Sequence, residues 1–345
     1  MWIFQDLRRA WEYITSQTGI DPGSATAKWE RAANCYPSWP VCSSYFNGGV
    51  GGPYVYIAHD NAISSDTVIH ETGHHYMWNA TGWWLWWDVW CYNHNLFSQE
   101  DVNCGWSEGW ADFIPLAVNS TLNPNDSCFD FGSGPCGGGF FENLELRNRD
   151  DLPPVFPWGD SVEGRVAGAL YDLFDGVNEG FDSATFGFTP IANNVFQAPN
   201  EDCLEAFWEG WKISEENEHH AVRAIYQNTI DYDTPPRYEP SLPDRIVLQG
   251  LGCENAIDLW TYSTDDESSD SELDWQIVYT SDWRCGATID GGDMVDIHPQ
   301  SGWLGSCDVT IQANDSLKTT NDTFRVNVLP VQAWVFLPIV MNSNP

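Results

Sequence analysis

Positive charge is scarce in this sequence. Lysine and arginine total 14 against 50 aspartates and glutamates, and the formal net charge is −36. Such a chain repels nucleic acids and anionic membranes, so neither is an expected partner. Long apolar runs are also missing. No stretch approaches the roughly 20 apolar residues of a membrane helix. The final VQAWVFLPIVM is too short and contains Pro338, which favours a last strand. Nor does the chain open on a basic segment followed by an apolar one. MWIFQDLRRAWEYI reads as an amphipathic helix, so the start is expected to be a mature or trimmed end. No pair of cysteines has CxxC spacing.

What is present gives a different emphasis. Ten cysteines include four pairs of near neighbours: Cys35 and Cys42, Cys91 and Cys104, Cys128 and Cys136, Cys285 and Cys307. Short Cys pairs in polar loops read as disulfides made in an oxidising compartment, which predicts a secreted, extracellular protein. Cys203 and Cys253 remain, and are expected to join each other. Tryptophan is abundant, with 20 residues, and suits large aromatic surfaces.

A length of 345 residues predicts two domains. Residues 1–235 read as mainly helical with a small sheet. Helices are expected at about 5–17, from Ser65 through Trp78 with Ser65 or Asp66 as cap, and from near Trp106. Another follows in DSVEGRVAGALYDLFDG, where Asp160 and Glu163 would form a capping box. EDCLEAFWEGWKI and ENEHHAVRAIYQNT look like a closing helical pair, and GGPYVYIA like a short strand. The proline-rich stretch 231–244 marks the boundary, with 236–244 as linker. From 245 to 345, AIDLWTYS, LDWQIVYT, MVDIHP, CDVTIQAN and DTFRVNVLP alternate polar and apolar residues between turn signals. That pattern predicts an all-β sandwich. The fold class is therefore α+β.

The chemistry concentrates in SDTVIHETGHHYMWNA. His70-Glu71-Thr72-Gly73-His74 is HExxH on a predicted helix. The i, i+4 spacing puts both imidazoles on one face, one turn apart, where they can grip one metal ion. Zinc (Zn2+) suits neutral imidazole and lowers the pKa of a bound water to about 7. Glu71, beside His70 and not itself a ligand, can then move that proton to a leaving amine. A catalytic zinc takes a third protein ligand. A third histidine six residues after His74 is excluded, because that residue is Ala80. Glu108 in WSEGWADF is the best candidate, and Asp112, one turn on, is placed to hold a ligand imidazole. His94 and Glu100 are rivals in the loop around Cys91 and Cys104. His75 points about 100° away from His74 and is expected to pack or hydrogen-bond nearby. His219 and His220 lie on a late acidic helix, with a solvated role or a place along the cleft.

HExxH followed by SEGWADF and EGRVAGALYDLFD resembles the gluzincin metallopeptidases, the thermolysin-like clan, and most closely the fungalysin branch, over about 65–175. The resemblance implies zinc ligands at His70, His74 and Glu108, Glu71 as general base and acid, and Asp112 behind a ligand. It also implies a transition-state donor, for which Asp160 stands where fungalysins carry His; Tyr171 and Arg165 are the alternatives. Residues 245–345 resemble cadherin-like or dystroglycan-type immunoglobulin-fold modules in YSTDDESSDSELDWQIV, IHPQSGWLGSCDVTIQAND and DTFRVNV. There Asp265, Asp266, Asp270 and Asp315 are candidate calcium (Ca2+) ligands or solvated turn residues.

The expectation is a secreted zinc metallopeptidase acting on a protein or peptide substrate, with a C-terminal module for surface or matrix attachment. Trp83, Trp84, Trp86 and Trp87 would wall its cleft or fill a core. The competing reading is an extracellular adhesion protein whose zinc site is structural or degenerate.

Overall fold

A computed structural model describes residues 2–29, 43–49, 51–81, 91, 94–122, 127–129, 143–144, 157–178, 180–183, 185–197, 202–214 and 217–331. Trp83, Trp84, Trp86 and Trp87 lie outside the described residues, as do Cys35, Cys42, Cys136 and the expected last strand. The chain is α+β and divides into two compact units, Met1–Asp233 and Thr234–Pro345.

Among the described residues the first unit has seven α-helices: α1 Trp2–Thr18, α2 Ser65–Thr81, α3 Val102–Asn119, α4 Glu163–Phe174, α5 Phe188–Gln197, α6 Leu204–Ser214 and α7 Glu218–Gln227. Helix α1 buries Asp6, Ala10, Tyr13 and Ile14, a stripe at helical spacing. Its Arg9 donates to both Asp6 and Ser65, which fixes α1 to the start of α2. The cap of α2 is Ser64, one residue earlier than expected: its Oγ accepts the amide of Thr67 at 3.1 Å. A small sheet covers this end of the helix. Strand β3 (Tyr54–Ile57) lies between β1 (Ala27–Trp29), parallel to it, and β2 (Tyr45–Asn47), antiparallel to it. Val55 and Ile57 of β3 pack on Val68 of α2.

Helix α3 is buried along nearly its whole length, between α2 and α4. Two glycines permit that approach. A Cβ on Gly73 of α2 would stand 3.1 Å from Ile114 Cγ2, and one on Gly109 of α3 would stand 2.5 Å from Val166 Cβ of α4. Asp101 caps α3 by accepting the amide of Asn103. The capping box expected at α4 does not form. Asp160 instead accepts a hydrogen bond from Tyr232 at 2.7 Å, and Glu163 turns toward His94. Helix α5 carries no cap or charge pattern that announces it, and sequence reading missed it.

The second unit holds a four-stranded sheet in the order β5 (Arg245–Leu248), β12 (Thr319–Leu329), β11 (Gly305–Asn314), β8 (Asp274–Thr280). A three-stranded sheet runs β6 (Cys253–Asp258), β10 (Met294–Ile297), β9 (Ala287–Ile289), and β4 (Arg237–Tyr238) pairs with β7 (Ser263–Thr264). Strand β11 alternates as its sequence predicts, with Cys307, Val309, Ile311 and Ala313 inward. These join Ile257, Trp275, Val295, Ile297, Phe324 and Val326 in one core fed by both larger sheets. Residues 236–244, read as a linker, belong to this unit: they supply β4 and the buried Leu242. The strand expected in AIDLWTYS stops at Asp258, whose side chain caps a 3-10 turn at Leu259–Thr261. Cys91–Cys104 and Cys285–Cys307 are disulfides, whereas Cys203 and Cys253, expected to join, are free thiols.

Candidate metal centre

Helix α2 presents His70 and His74 on one face, and α3 crosses it with Glu108 opposite them. His74 Nε2 lies 3.0 Å from Glu108 Oε2 and 3.2 Å from His70 Nε2. His70 Nε2 lies 3.4 Å from the same Glu108 oxygen. Two nitrogens and one oxygen thus form a small triangle from two helices. Donors bound to one tetrahedral zinc at 2.0–2.1 Å stand about 3.3 Å apart. The donor set and its spacing therefore fit a zinc ion.

The far sides of both rings are also occupied. Asp112 Oδ1 is 2.9 Å from His70 Nδ1. Ser107 Oγ is 3.3 Å from His74 Nδ1, a contact sequence reading did not foresee. Both partners come from the Glu108 helix, so α3 supplies a donor and the two supports together. Phe129 closes the flank, its ring 5.7 Å from that of His70.

Electrostatics follow from this crowding. Burial works to lower the His70 pKa, but the hydrogen bonds to Asp112 and Glu108 and the charges of Asp112 and Glu71 hold it well above the ordinary value. Burial works to raise Glu108, yet the charge of His74 and hydrogen bonds from both imidazoles hold it well below the usual carboxylate range. Glu71 is buried, and burial, with the charge of Glu108, raises its pKa against the lowering charges of the histidines. It stands close enough to both histidines to join one atom of each within 4.8 Å.

A third imidazole reaches the same carboxylate. His94 Nε2 lies 3.7 Å from Glu108 Oε1, and His94 Nδ1 lies 2.7 Å from Glu163 Oε2. Burial lowers the His94 pKa, but the Glu163 hydrogen bond and the charges of Glu108 and Glu163 bring it up to about 9. Burial pushes Glu163 up to about 7, against the hydrogen bond from His94. The His94 loop is pinned at one end by the Cys91–Cys104 disulfide and at the other by the Glu100 amide on Ser161 O at 2.9 Å. Sequence reading had His94 as a rival ligand and had Glu163 as a cap.

Other expected residues go elsewhere. Arg165 is buried on α4, two residues from Glu163 and so on the opposite side of that helix. Its Nε donates to Pro157 O at 3.4 Å. Tyr171 is buried about 12 Å farther along the α4 axis than Glu163, with its ring 6.0 Å from Phe174. His75 turns away as expected, donating to Ser24 O at 2.8 Å and stacking on Trp78. His220 of α7, beside the buried His219, meets Ser183 from the segment before α5.

A family model described as the mycolysin C-terminal domain matches residues 9–229, which contain this whole constellation. No curated protein matches the chain. Two structures of the endo-fucoidan hydrolase MfFcnA4 from glycoside hydrolase family 107 align at TM-scores of 0.23 and 0.22, with 12% and 14% identity. They cover 30% and 31% of this chain and 15% of each of those. MfFcnA9 of the same family aligns at 0.20, with 15% identity over 28% of this chain and 16% of its own. The chain thus spans about a sixth of those hydrolases' length, and the likeness carries no argument about it.

Proposed function

The chain belongs to the mycolysin C-terminal domain family, a peptidase family, and on that premise we propose that it is a secreted zinc metallopeptidase. The observation that carries the reading is the convergence of His70 Nε2, His74 Nε2 and Glu108 Oε2 within 3.0–3.4 Å of one another. These three hold the ion; Asp112 and Ser107 fix the tautomers and orientation of the two rings. Zinc, when bound, supplies a Lewis acid that polarises a scissile carbonyl and acidifies water.

The protein's own groups then handle protons and charge. Glu71, buried beside both histidines, takes the proton from the attacking water and gives it to the leaving amine. His94, anchored through Nδ1 on Glu163, turns Nε2 toward the Glu108 side of the centre. The Glu163 carboxylate 2.7 Å from Nδ1 favours the protonated imidazole, which is placed to donate from Nε2 to a developing oxyanion. His94 takes the role that sequence reading left to Tyr171 or Arg165.

Peptide or protein substrates follow from this chemistry. The disulfides Cys91–Cys104 and Cys285–Cys307 support an oxidising, extracellular location. No helix among the described residues is long and apolar enough to cross a membrane. The second unit, with two sheets around one core, is read as a cadherin-like or immunoglobulin-like module for attachment.

The test is metal content and hydrolysis of a casein-type substrate in wild type and Glu71→Gln. Wild type should carry zinc at the His70 centre. The variant should keep zinc and lose hydrolysis by about 10²–10⁴-fold. Unchanged hydrolysis in the variant, or a protein that takes up no zinc, overturns the reading. A zinc-loaded wild type without hydrolysis favours the competing reading of a structural or degenerate zinc site.

A further inference from the structure

Three side chains converge on the outer face of the three-stranded sheet in the second unit. Glu254 stands on β6, Asp296 on β10, and His298 one residue past the end of β10. One donor atom of each lies within 4.8 Å of the other two. The tightest pair is His298 Nε2 and Glu254 Oε1, 3.1 Å apart. Strand alternation turns all three away from the core. Val295 and Ile297 fill the inward positions of β10, and Cys253 packs inward beside Glu254. The donors offered to solvent are thus one imidazole and two carboxylates, without sulfur.

The backbone is shaped around this group. β6 uses four residues, Ile257 to Cys253, where β10 uses two, Val295 to Ile297, so the strands bulge at Asp296. Within the bulge Asn255 takes φ 53°, and its amide donates to Asp296 Oδ1 at 2.8 Å. His298 is set by two glycines. Its amide donates to Gly286 O at 2.8 Å, and a Cβ on Gly286 would fall 1.8 Å from His298 O. A Cβ on Gly252 would stand 2.5 Å from the ring at Nδ1. The imidazole therefore lies over bare backbone, with Nε2 turned to Glu254. The guanidinium that reaches β6 is committed to carbonyls: Arg245 donates to Ala256 O at 2.6 Å and Asp244 O at 3.4 Å. An exposed imidazole–carboxylate pair gains little by itself in salt water, and a second carboxylate adds repulsion unless a cation joins them.

We propose that Glu254, Asp296 and His298 bind a divalent transition-metal ion of the zinc type on the surface of the second unit. The imidazole selects zinc over calcium and magnesium, which prefer oxygen donors alone. Three protein donors leave a coordination position toward solvent, open to water or to a donor from another molecule. The site is separate from the His70 centre and shares no residue with it.

The experiment is calorimetric titration of the metal-stripped full chain with zinc chloride, in about 150 mM salt and excess calcium to suppress diffuse attraction to an acidic surface. Wild type should take up one zinc more than His298→Gln. Glu254→Gln and Asp296→Asn should each weaken that same step about 10-fold or more, since each removes one of three donors. His220→Gln should leave it unchanged. All four side chains lie off the His70 centre, so hydrolysis should persist in every variant. Equal zinc stoichiometry in wild type and His298→Gln overturns the proposal, as does an extra step that calcium abolishes. A single zinc that disappears in His298→Gln would support this site and count against the His70 centre instead.

Discussion

Asp112 stands directly behind His70, its Oδ1 2.9 Å from the ring Nδ1, one helical turn from Glu108 on the same helix. In the proposed centre that carboxylate fixes which nitrogen carries hydrogen and aims Nε2 at the ion. Asp112→Ala should therefore weaken zinc binding by about 10–100-fold. Ser107→Ala, which removes a 3.3 Å contact to His74, should cost less. Zinc competition against a chromophoric chelator measures both. Equal affinities in wild type and Asp112→Ala would remove Asp112 from the centre.

His94 should matter for turnover and little for metal. His94→Ala should lower kcat about 10²-fold, the scale for losing one oxyanion donor, with zinc content unchanged. Glu163→Gln should give a weaker loss, since the imidazole stays but loses its anchor. Steady-state kinetics beside metal analysis separates these outcomes. Loss of zinc in His94→Ala would make it a ligand instead.

The metal-free protein should show the His94 charge in its stability. The folded pKa is raised from 6.5 to about 9, mainly by Glu163 and Glu108 against burial. A raised histidine stabilises the fold fully below pH 6.5, and that stability fades as pH rises through about 9. Tm measured from pH 6 to 10 should fall more steeply in wild type than in His94→Gln. Parallel curves would contradict the shift.

Gly109→Ala should separate α3 from α4. The added Cβ would stand 2.5 Å from Val166 Cβ and 2.9 Å from Glu163 O, and the backbone oxygen cannot step aside. Overpacking of this kind costs about 1–3 kcal/mol. Denaturant unfolding reads the loss, and zinc affinity should fall with it, because Glu108 is the adjacent residue.

Opening the Cys91–Cys104 bridge should release the His94 loop. The cysteines are 13 residues apart, and a loop of that size contributes about 3 kcal/mol in the chain-entropy view. Cys91→Ser should lower Tm and reduce kcat more than zinc content. An unchanged kcat would show that the bridge does not position His94.

Local periodicity made half of the centre legible. HExxH fixes two imidazoles by helix geometry alone, and Glu108 with Asp112 reads as a second acidic pair at the same spacing. The β11 and β12 strands were legible for a similar reason: alternation marks one buried face. Failures fell where a side chain had two possible partners. Asp160 and Glu163 look like a capping box in sequence, but Tyr232 and His94 compete for them and win. Helix α5 lacks a cap signal, and its burial comes from neighbours far along the chain.

The order of residues alone determined the imidazole face of α2, the carboxylate face of α3 and the alternating strands, because these depend on spacings of two or four residues. Only the tertiary structure decided that Ser107 backs His74 and that Glu163 anchors His94. Those pairings join residues 33 and 69 positions apart. Packing sets such distances, and no local pattern encodes them.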